Sequence, residues 1–318
     1  MNEIDGGIIK MKIAIAGSGA LGCGFGYMMK KNGNDVTLID FWEDHIKAIQ
    51  ENGLTITVNG KEDNIIIPIG KPDEIKETFD AVFIFTKSMG LRHMLEEIKH
   101  ILTEDTKVIC LLNGLGHAKT ISEYIPEKNI IMGTTVWTGG LDAPGKTHFM
   151  GEGPVEVQNA DVNEKEGTLQ VVKMMADSGL NGVYSEDVHF TTWRKACVNG
   201  TMNALCSLLD CNIKELFETS EIDGLLDGIV SEFSLVAETE GAQLDVAETI
   251  SYLKATAEKV GAHYPSMHQD LKNKRLTEID FLNGTVAKEA EEKGLEAPYS
   301  KLITQLVHAK EDILGIKR

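Results

Sequence analysis

The chain has 318 residues, with 31 basic and 49 acidic side chains and a formal charge of −18. A surface that negative repels nucleic acid and anionic lipid unless a local basic patch reverses it, and the sequence holds no such patch. With 42% hydrophobic and 25% charged residues, the composition excludes disorder and a disulfide-built mini-fold and leaves room for about two domains.

The five cysteines, Cys23, Cys110, Cys197, Cys206 and Cys211, are scattered and form no C-x-x-C pair, which fits a reduced, cytoplasmic setting. Residues 1 to 10 carry Glu3 and Asp5 and lack an apolar core, so no secretory signal is expected there. They look like an appendage, since the periodic pattern starts at Met11. No apolar run reaches the roughly 18 residues of a membrane span.

From Lys12 the pattern is strand, glycine-rich turn, helix, strand: KIAIAGS, then GALGCGFGYMMKKNG, then NDVTLID ending at Asp40. A unit of about 30 residues that closes with a parallel strand is the elementary piece of a doubly wound sheet. Apolar runs at residues 54–58, 64–70, 81–86, 107–112 and 129–137 are further expected strands, several of them separated by helical stretches. Between Gly139 and Asn159, short alternating segments with Gly and Pro turns predict an antiparallel edge that finishes the sheet. After Ser185 the strands stop. Apolar spacing of three and four residues, as in Ile229, Phe233 and Val236 or in Leu302, Leu306, Ala309 and Ile313, predicts helices from there on. The expected fold is therefore α/β, a doubly wound sheet domain over 11–186 followed by an all-helical domain over 187–318.

Gly17-Ser18-Gly19-Ala20-Leu21-Gly22 is a G-x-G-x-x-G motif placed directly after a strand and opening a helix. The first glycine permits the tight turn, the second admits a pyrophosphate close to the backbone, and the third lets the helix close on the strand. Asp40, at the end of the second strand, stands where a carboxylate accepts hydrogen bonds from the adenosine ribose hydroxyls and repels a 2′-phosphate. No basic residue follows at 41 or 42, so NAD is expected rather than NADP. The alternative is a solvated aspartate in a loop.

A second group lies in the run from Trp193 to Asn203. On an α-helix Lys195, Asn199 and Asn203 fall at i, i+4 and i+8, roughly on one face, among Ala, Cys, Val and Met. Such a face either meets water or lines a polar cavity, because a buried amide without a partner costs about 1–3 kcal/mol. A third group is Tyr264 to Asp270 followed by Thr277 to Gly284, where Thr277 resembles a helix N-cap and Glu278 would sit in the first turn, favoured there by the helix dipole alone. Asn113, in Asn113-Gly114-Leu115-Gly116, follows an apolar strand at the carboxyl end of the sheet, where ligands of open α/β sheets lie.

Taken together, the nucleotide motif, Phe85-Thr86-Lys87, the NGLG at 113–116, the W-x-K-x-x-x-N-x-x-x-N run at 193–203 and the SMHQD and TEID-x-x-NG runs at 266–284 resemble the ketopantoate reductase family, in order and over about residues 12–313. The resemblance implies a Rossmann-like domain, an all-helical C-terminal domain and an active site in the cleft between them. It places the family's proton-donating lysine on Lys195 and its catalytic acidic residue on Glu278. Its substrate-contacting residues fall on Asn113, Asn199, Asn203 and Ser266, and its cofactor-side lysine on Lys87, with Asn113 serving the cofactor as well. The biosynthetic members generally use NADPH and carry a basic residue near the second strand, where this chain has Asp40. That departure tilts the expectation towards the family's NAD-dependent D-2-hydroxyacid dehydrogenase branch, resembling D-mandelate dehydrogenase and acting on bulky branched or aromatic 2-oxo acids. Reduction of 2-dehydropantoate is the alternative.

Substrate tails would then be lined by Trp137, Leu115, Met202 and Tyr264, which adjoin the motifs. Zinc is not expected, since His263 and His268 are five apart with no H-E-x-x-H and no cysteine partner. A non-catalytic dinucleotide-sensing regulator is the rival from another class, and it would have no need of the Lys195 and Glu278 pair. The helical domain makes a homodimer conceivable; neither nucleic acid nor membrane is an expected partner.

Overall fold

Lys12–Ala16 (β1) alternates Ile13 and Ile15 on one face with Ala14 and Ala16 on the other, and all four are fully buried. A strand buried on both faces belongs at the centre of a parallel sheet. In the computed structural model, which describes residues 10–318, β1 does lie there. The expected appendage at residues 1–10 falls outside the described residues, Lys10 excepted.

In chain order the first part runs through α1 (Ala20–Lys31), β2 (Asp35–Ile39), α2 (Glu43–Asn52), β3 (Leu54–Val58), β4 (Lys61–Ile65), β5 (Ile69–Gly70) and β6 (Ala81–Ile84). It continues with α3 (Leu91–Ile98), β7 (Lys107–Cys110), α4 (His117–Ile121), β8 (Ile130–Thr135), β9 (Thr138–Ala143), β10 (Lys146–Met150), β11 (Val155–Asn159), α5 (Glu166–Asp177) and β12 (Gly182–Tyr184). One sheet has the order β12-β11-β8-β7-β6-β1-β2-β5. From β5 to β8 every pairing is parallel, with Ile13 opposite Val36 on one side and Ala81 on the other. The chain leaves β1 first towards β2 and later returns to its other edge with β6. This reversal makes the carboxyl end of β1 the topological switch point, where dinucleotides bind in such sheets.

The expected antiparallel edge divides into two. Only β11 pairs antiparallel with β8, and β12 then adds in parallel. β9 and β10 instead join β3 and β4 in a separate four-stranded sheet, so residues 54–58 also lie outside the main sheet. Phe149 of β10 fits against Gly24 of α1, where even a methyl group would come within 2.2 Å of its ring. Two apolar clusters flank the main sheet, one around Ile13, Ile15, Phe25 and Phe149, the other around Ala14, Val82, Leu95 and Ile98.

Two compact units emerge. The first runs to Leu112 and resumes over His117–Val188; the second comprises Asn113–Gly116 and His189–Arg318. The short excursion at 113–116 has a physical cause within the second unit. The Leu115 N–H donates to the Phe281 carbonyl (2.8 Å), and Leu115 joins the helical core. The remaining helices are α6 (Val188–Val198), α7 (Ala204–Leu209), α8 (Ile213–Phe217), α9 (Ile222–Thr239), α10 (Val246–Val260), α11 (Ser266–Lys272), α12 (Asn283–Glu292) and α13 (Pro298–Ile313), with a π-helical turn at Asn199–Asn203 between α6 and α7. Among the described residues no helix is long and apolar enough to cross a membrane.

Ile229, Val230, Phe233 and Val236 of α9 are fully buried at the centre of that core. On α13 the buried line is Ser300, Ile303, Val307 and Glu311, and not the apolar stripe at 302, 306 and 313, which faces outward. Apolar spacing occurs on both faces of this helix, and the inner one tolerates polar groups because they are bonded. Glu232 of α9 receives the Tyr299 and Ser300 N–H groups, one on each carboxylate oxygen, at 2.7 Å. These are first-turn donors of α13 that the helix itself cannot satisfy. Glu232→Ala should therefore destabilise the protein by about 1–3 kcal/mol in urea unfolding, because one buried and one part-buried donor lose a charged acceptor. An unchanged midpoint would show that water replaces the carboxylate at no cost.

Candidate functional site

Gly17 turns the chain out of β1 with φ +100°, and a Cβ there would stand 2.6 Å from the Thr86 nitrogen at the end of β6. At Gly22 a Cβ would lie 2.0 Å from the Gly17 oxygen, so the turn and α1 are closed on each other. Gly19 is the opposite case: nothing lies within 4 Å of where its Cβ would be. No side chain caps α1, which starts at Ala20 and Leu21. Closed behind and open in front, with an uncapped helix N-terminus, the turn fits a pyrophosphate. The buried Thr86 hydroxyl, which has no hydrogen-bond partner, adds an orphaned polar atom beside it. The only sequence signal for Thr86 is its place in Phe85-Thr86-Lys87. Lys87 is exposed and precedes the 3₁₀ turn Ser88–Gly90.

Asp40 performs a task the sequence did not reveal. Its Oδ2 accepts the Ser18 N–H at 2.7 Å, and its Oδ1 accepts the Phe41 and Trp42 N–H groups at 2.8 and 3.0 Å. A carboxylate offers about four acceptor positions, so one on Oδ2 is left for a ribose hydroxyl. Beneath the turn the Cys23 thiol donates to the Ser18 carbonyl at 3.1 Å and lies 3.5 Å from His45 Nε2. The fully buried His45 accepts the Gly145 N–H on Nδ1 (3.1 Å). Burial pulls its imidazole below the ordinary value, so it is neutral with its proton on Nε2. Trp42 stacks on the His45 ring at 5.4 Å, a footing under the residues that follow Asp40.

In the second unit the helix carrying Lys195 does not continue as a plain α-helix. Eight α-helical residues overshoot a whole number of turns by about 80°. The π-helical turn at Asn199–Asn203 takes a smaller angular step per residue and opposes that drift, which brings Asn203 back towards the Lys195 side. Asn203 Nδ2 lies 3.5 Å from Ser266 Oγ at the start of α11, so two expected substrate groups from distant parts of the chain meet. Asn199 is half-buried within the same turn. Lys195 is half-buried as a residue, and removal of its amine from water pushes its pKa down to about 8, against an opposing pull from Glu278.

Glu278 is buried, 8% exposed, but it does not sit in the first turn of an α-helix. Thr277 donates its hydroxyl to Glu311 Oε1 (2.7 Å), and the residues after Glu278 form a 3₁₀ turn, Ile279–Phe281, before α12 begins at Asn283. The expected capping-box start is thus replaced by a tertiary contact. Asn113 begins the segment that rests on Phe281, where a Cβ on Gly114 would meet Phe281 at 2.7 Å.

Of the expected tail-lining residues, Trp137 is a core residue of the first unit, its ring stacked on Phe149 and its indole N–H donated to Gly153 O. Leu115 and Met202 are buried in the helical core, and Tyr264 is half-exposed against His268. His268 Nε2 lies 2.8 Å from Asp210 Oδ1. Among the described residues no group of three or more His, Cys, Asp or Glu is arranged to hold a metal ion.

Comparison with known proteins matches residues 13–161 to the family described as "Ketopantoate reductase PanE/ApbA" and residues 187–311 to "Ketopantoate reductase PanE/ApbA C terminal". A 2-dehydropantoate 2-reductase of Streptococcus pyogenes is 50% identical over 96% of this chain and 100% of its own length. One of Lactococcus lactis is 46% identical with the same coverage. Among solved structures, D-mandelate dehydrogenase with NADH and anilino(oxo)acetate superposes with a TM-score of 0.91 at 44% identity, covering 96% of this chain and 100% of the other. With both of its units matched by the family and half of its residues shared with such relatives, the chain belongs to the ketopantoate reductase family.

Proposed function

We propose that the protein is an NADH-dependent 2-oxo acid reductase with Lys195 as proton donor, and that its substrate is 2-dehydropantoate. What supports the chemistry is Lys195 on the helix that leads into the π-helical turn, where Asn203 meets Ser266 at 3.5 Å, with burial lowering the pKa of its amine to about 8 against the pull of Glu278. An ammonium in that range holds its proton at neutral pH yet gives it up readily, as a general acid must. The substrate rests on the names of the relatives from Streptococcus pyogenes and Lactococcus lactis. A second reading, an NAD-dependent dehydrogenase of bulky branched or aromatic D-2-hydroxy acids, is what the sequence alone favours. The likeness to D-mandelate dehydrogenase supports it.

The reaction is 2-oxo acid + NADH + H⁺ → 2-hydroxy acid + NAD⁺. When bound, the reduced nicotinamide would supply the hydride to the keto carbon. Lys195 donates a hydrogen bond to the keto oxygen and transfers its proton as that oxygen becomes an alkoxide. Glu278 favours the charged form of the lysine and so offsets its desolvation. Asn113, Asn199, Asn203 and Ser266 bring amide and hydroxyl donors to the carboxylate and keto groups, and their fixed positions set the approach. Gly17, Gly19, Ala20, Leu21 and Gly22 would hold the pyrophosphate, Asp40 the ribose hydroxyls, and Lys87 with Asn113 the nicotinamide side.

Cofactor choice is tested by kcat/KM with each dinucleotide. NADH should be preferred by at least about 10-fold, since a carboxylate beside a phosphate costs about 1–2 kcal/mol. Asp40→Asn, which retains an acceptor for Phe41 and Trp42, should narrow the gap; equal use by the unaltered protein would refute the assignment.

Lys195→Ala should lower kcat by about 10²–10⁴-fold with little change in NADH affinity. Because only the protonated amine can donate, kcat/KM for reduction should be level at neutral pH and fall as pH rises through about 8. The reverse oxidation needs the neutral amine and should rise towards the same pH. A variant that keeps more than half its activity, or profiles without these limbs, would remove Lys195 from the mechanism.

Steady-state rates with 2-dehydropantoate, 2-oxoisovalerate, 2-oxoisocaproate and phenylglyoxylate decide the substrate. A kcat/KM for 2-dehydropantoate about 100-fold above the others is expected, as a buried partner for its extra hydroxyl would give. Broad activity on bulky tails with no such advantage would establish the second reading instead.

A further inference from the structure

We propose that Glu311 is a positioning residue for the reaction: through Thr277 it fixes the backbone from which Glu278 acts on Lys195. This rests on the catalytic roles proposed for Lys195 and Glu278. Glu311 is fully buried on the inner line of α13, 33 positions after Glu278 in sequence. One oxygen, Oε1, receives both the Thr277 N–H at 3.0 Å and the Thr277 hydroxyl at 2.7 Å. The other, Oε2, lies 3.4 Å from the guanidinium of Arg318, which Asp312 also holds. A carboxylate taken out of water is tolerated only when its charge and lone pairs are met, and this one is met by a cation and by two donors of a single residue.

That residue is the immediate neighbour of Glu278. The Glu278 carbonyl accepts the Phe281 N–H (3.0 Å), and the Phe281 carbonyl accepts the Leu115 N–H (2.8 Å). The turn that bears Glu278 is thus gripped at its start by Glu311 and at its end by the 113–116 segment. Only a 3₁₀ turn follows, and it is held further on by His308 at Asp280 Oδ1 and by the Thr285 hydroxyl on the Asp280 carbonyl, both at 2.9 Å, so the Glu311 contact is the one that fixes its start. Without the first grip Thr277 is free to shift, and Glu278 shifts with it. A displacement of about an ångström at a catalytic group is enough to cost on the order of 10- to 100-fold in rate.

The test uses the full chain with Glu311→Gln, Thr277→Val and Glu278→Gln, alone and in pairs, with kcat, KM, the pH profile of reduction and the thermal midpoint as readouts. Gln presents a weaker, uncharged acceptor to Thr277, while Val keeps the shape of Thr277 and removes only its hydroxyl. Each is expected to lower kcat by about 10-fold, leave KM for NADH unchanged, and move the alkaline limb to lower pH, because Glu278 no longer supports the lysine charge as well. In the Glu278→Gln background neither should lower kcat further, as residues acting through one group are not additive. An equal loss in both backgrounds would make Glu311 merely structural and overturn the proposal, as would unaltered rates and limbs in both single variants. Should Glu311→Gln fail to fold, Thr277→Val tests the same link from its other end. If Glu278→Gln itself keeps full rate, the role of Glu278 fails first, and that outcome is distinct from one in which only Glu311 is silent.

Discussion

A lysine amine removed from water is the constraint to which the helical unit is fitted. As the proposed proton donor it must hold its proton at neutral pH and still give it up, which a fully solvated amine does less readily. Burial lowers its pKa, and Glu278 opposes that shift. On that proposal Glu278 must be held steadily near the lysine, although a 3₁₀ turn and not an α-helix follows it. Much of the surrounding architecture supplies that steadiness from outside the turn.

Helix α13 shows how. Its N-terminus is fixed by Glu232 and its C-terminal part holds Thr277 through Glu311, two buried carboxylates on one helix and its neighbour. Against a well-packed apolar replacement of both partners each adds little net stability, because desolvation offsets most of its attraction, whereas removing the carboxylate alone strands its donors. What they provide is a defined register: a slip of α13 by one residue would leave a buried charge facing apolar side chains. The apolar residues of the same helix that an amphipathic pattern selects first, Leu302, Leu306 and Ile313, are on its outer face.

That inversion marks the limit of what the sequence shows. The doubly wound sheet and the helical second half were legible, because Ile13 to Ala16 and Val36 to Ile39 are the near-continuous apolar runs of strands buried on both faces and Gly17 to Gly22 stand where the first turn needs them. The second sheet was not, since β3 and β10 look locally like any other half-buried strands and only their pairing separates them from the main sheet. Of the proposed site, Lys195, Asn199 and Asn203 were singled out by a spacing that presumes a regular helix. The π-helical turn that helps align them has no marker in composition or periodicity. Glu311 and His45 were missed because their partners, Thr277 and Gly145, are 34 and 100 positions away.

Asp40 joins the two kinds of role in a single side chain. Three backbone N–H groups converge on it, from Ser18 in the glycine turn and from Phe41 and Trp42 beyond the strand, so it fastens the turn to the end of β2 irrespective of any ligand. A carboxylate is the one side-chain group of this length that can receive donors from both directions on two oxygens and still offer an acceptor position outward. Replacing it by a basic residue, as a preference for a 2′-phosphate requires, would therefore remove the clamp together with the repulsion. The Ser18 and Trp42 amides would need other acceptors, and Trp42 would need to keep its place on His45 without them. With Asp40 at the ribose as proposed, cofactor preference is tied to the geometry of the glycine turn, and a switch of specificity demands compensating changes on both sides of β2 rather than one substitution at its end.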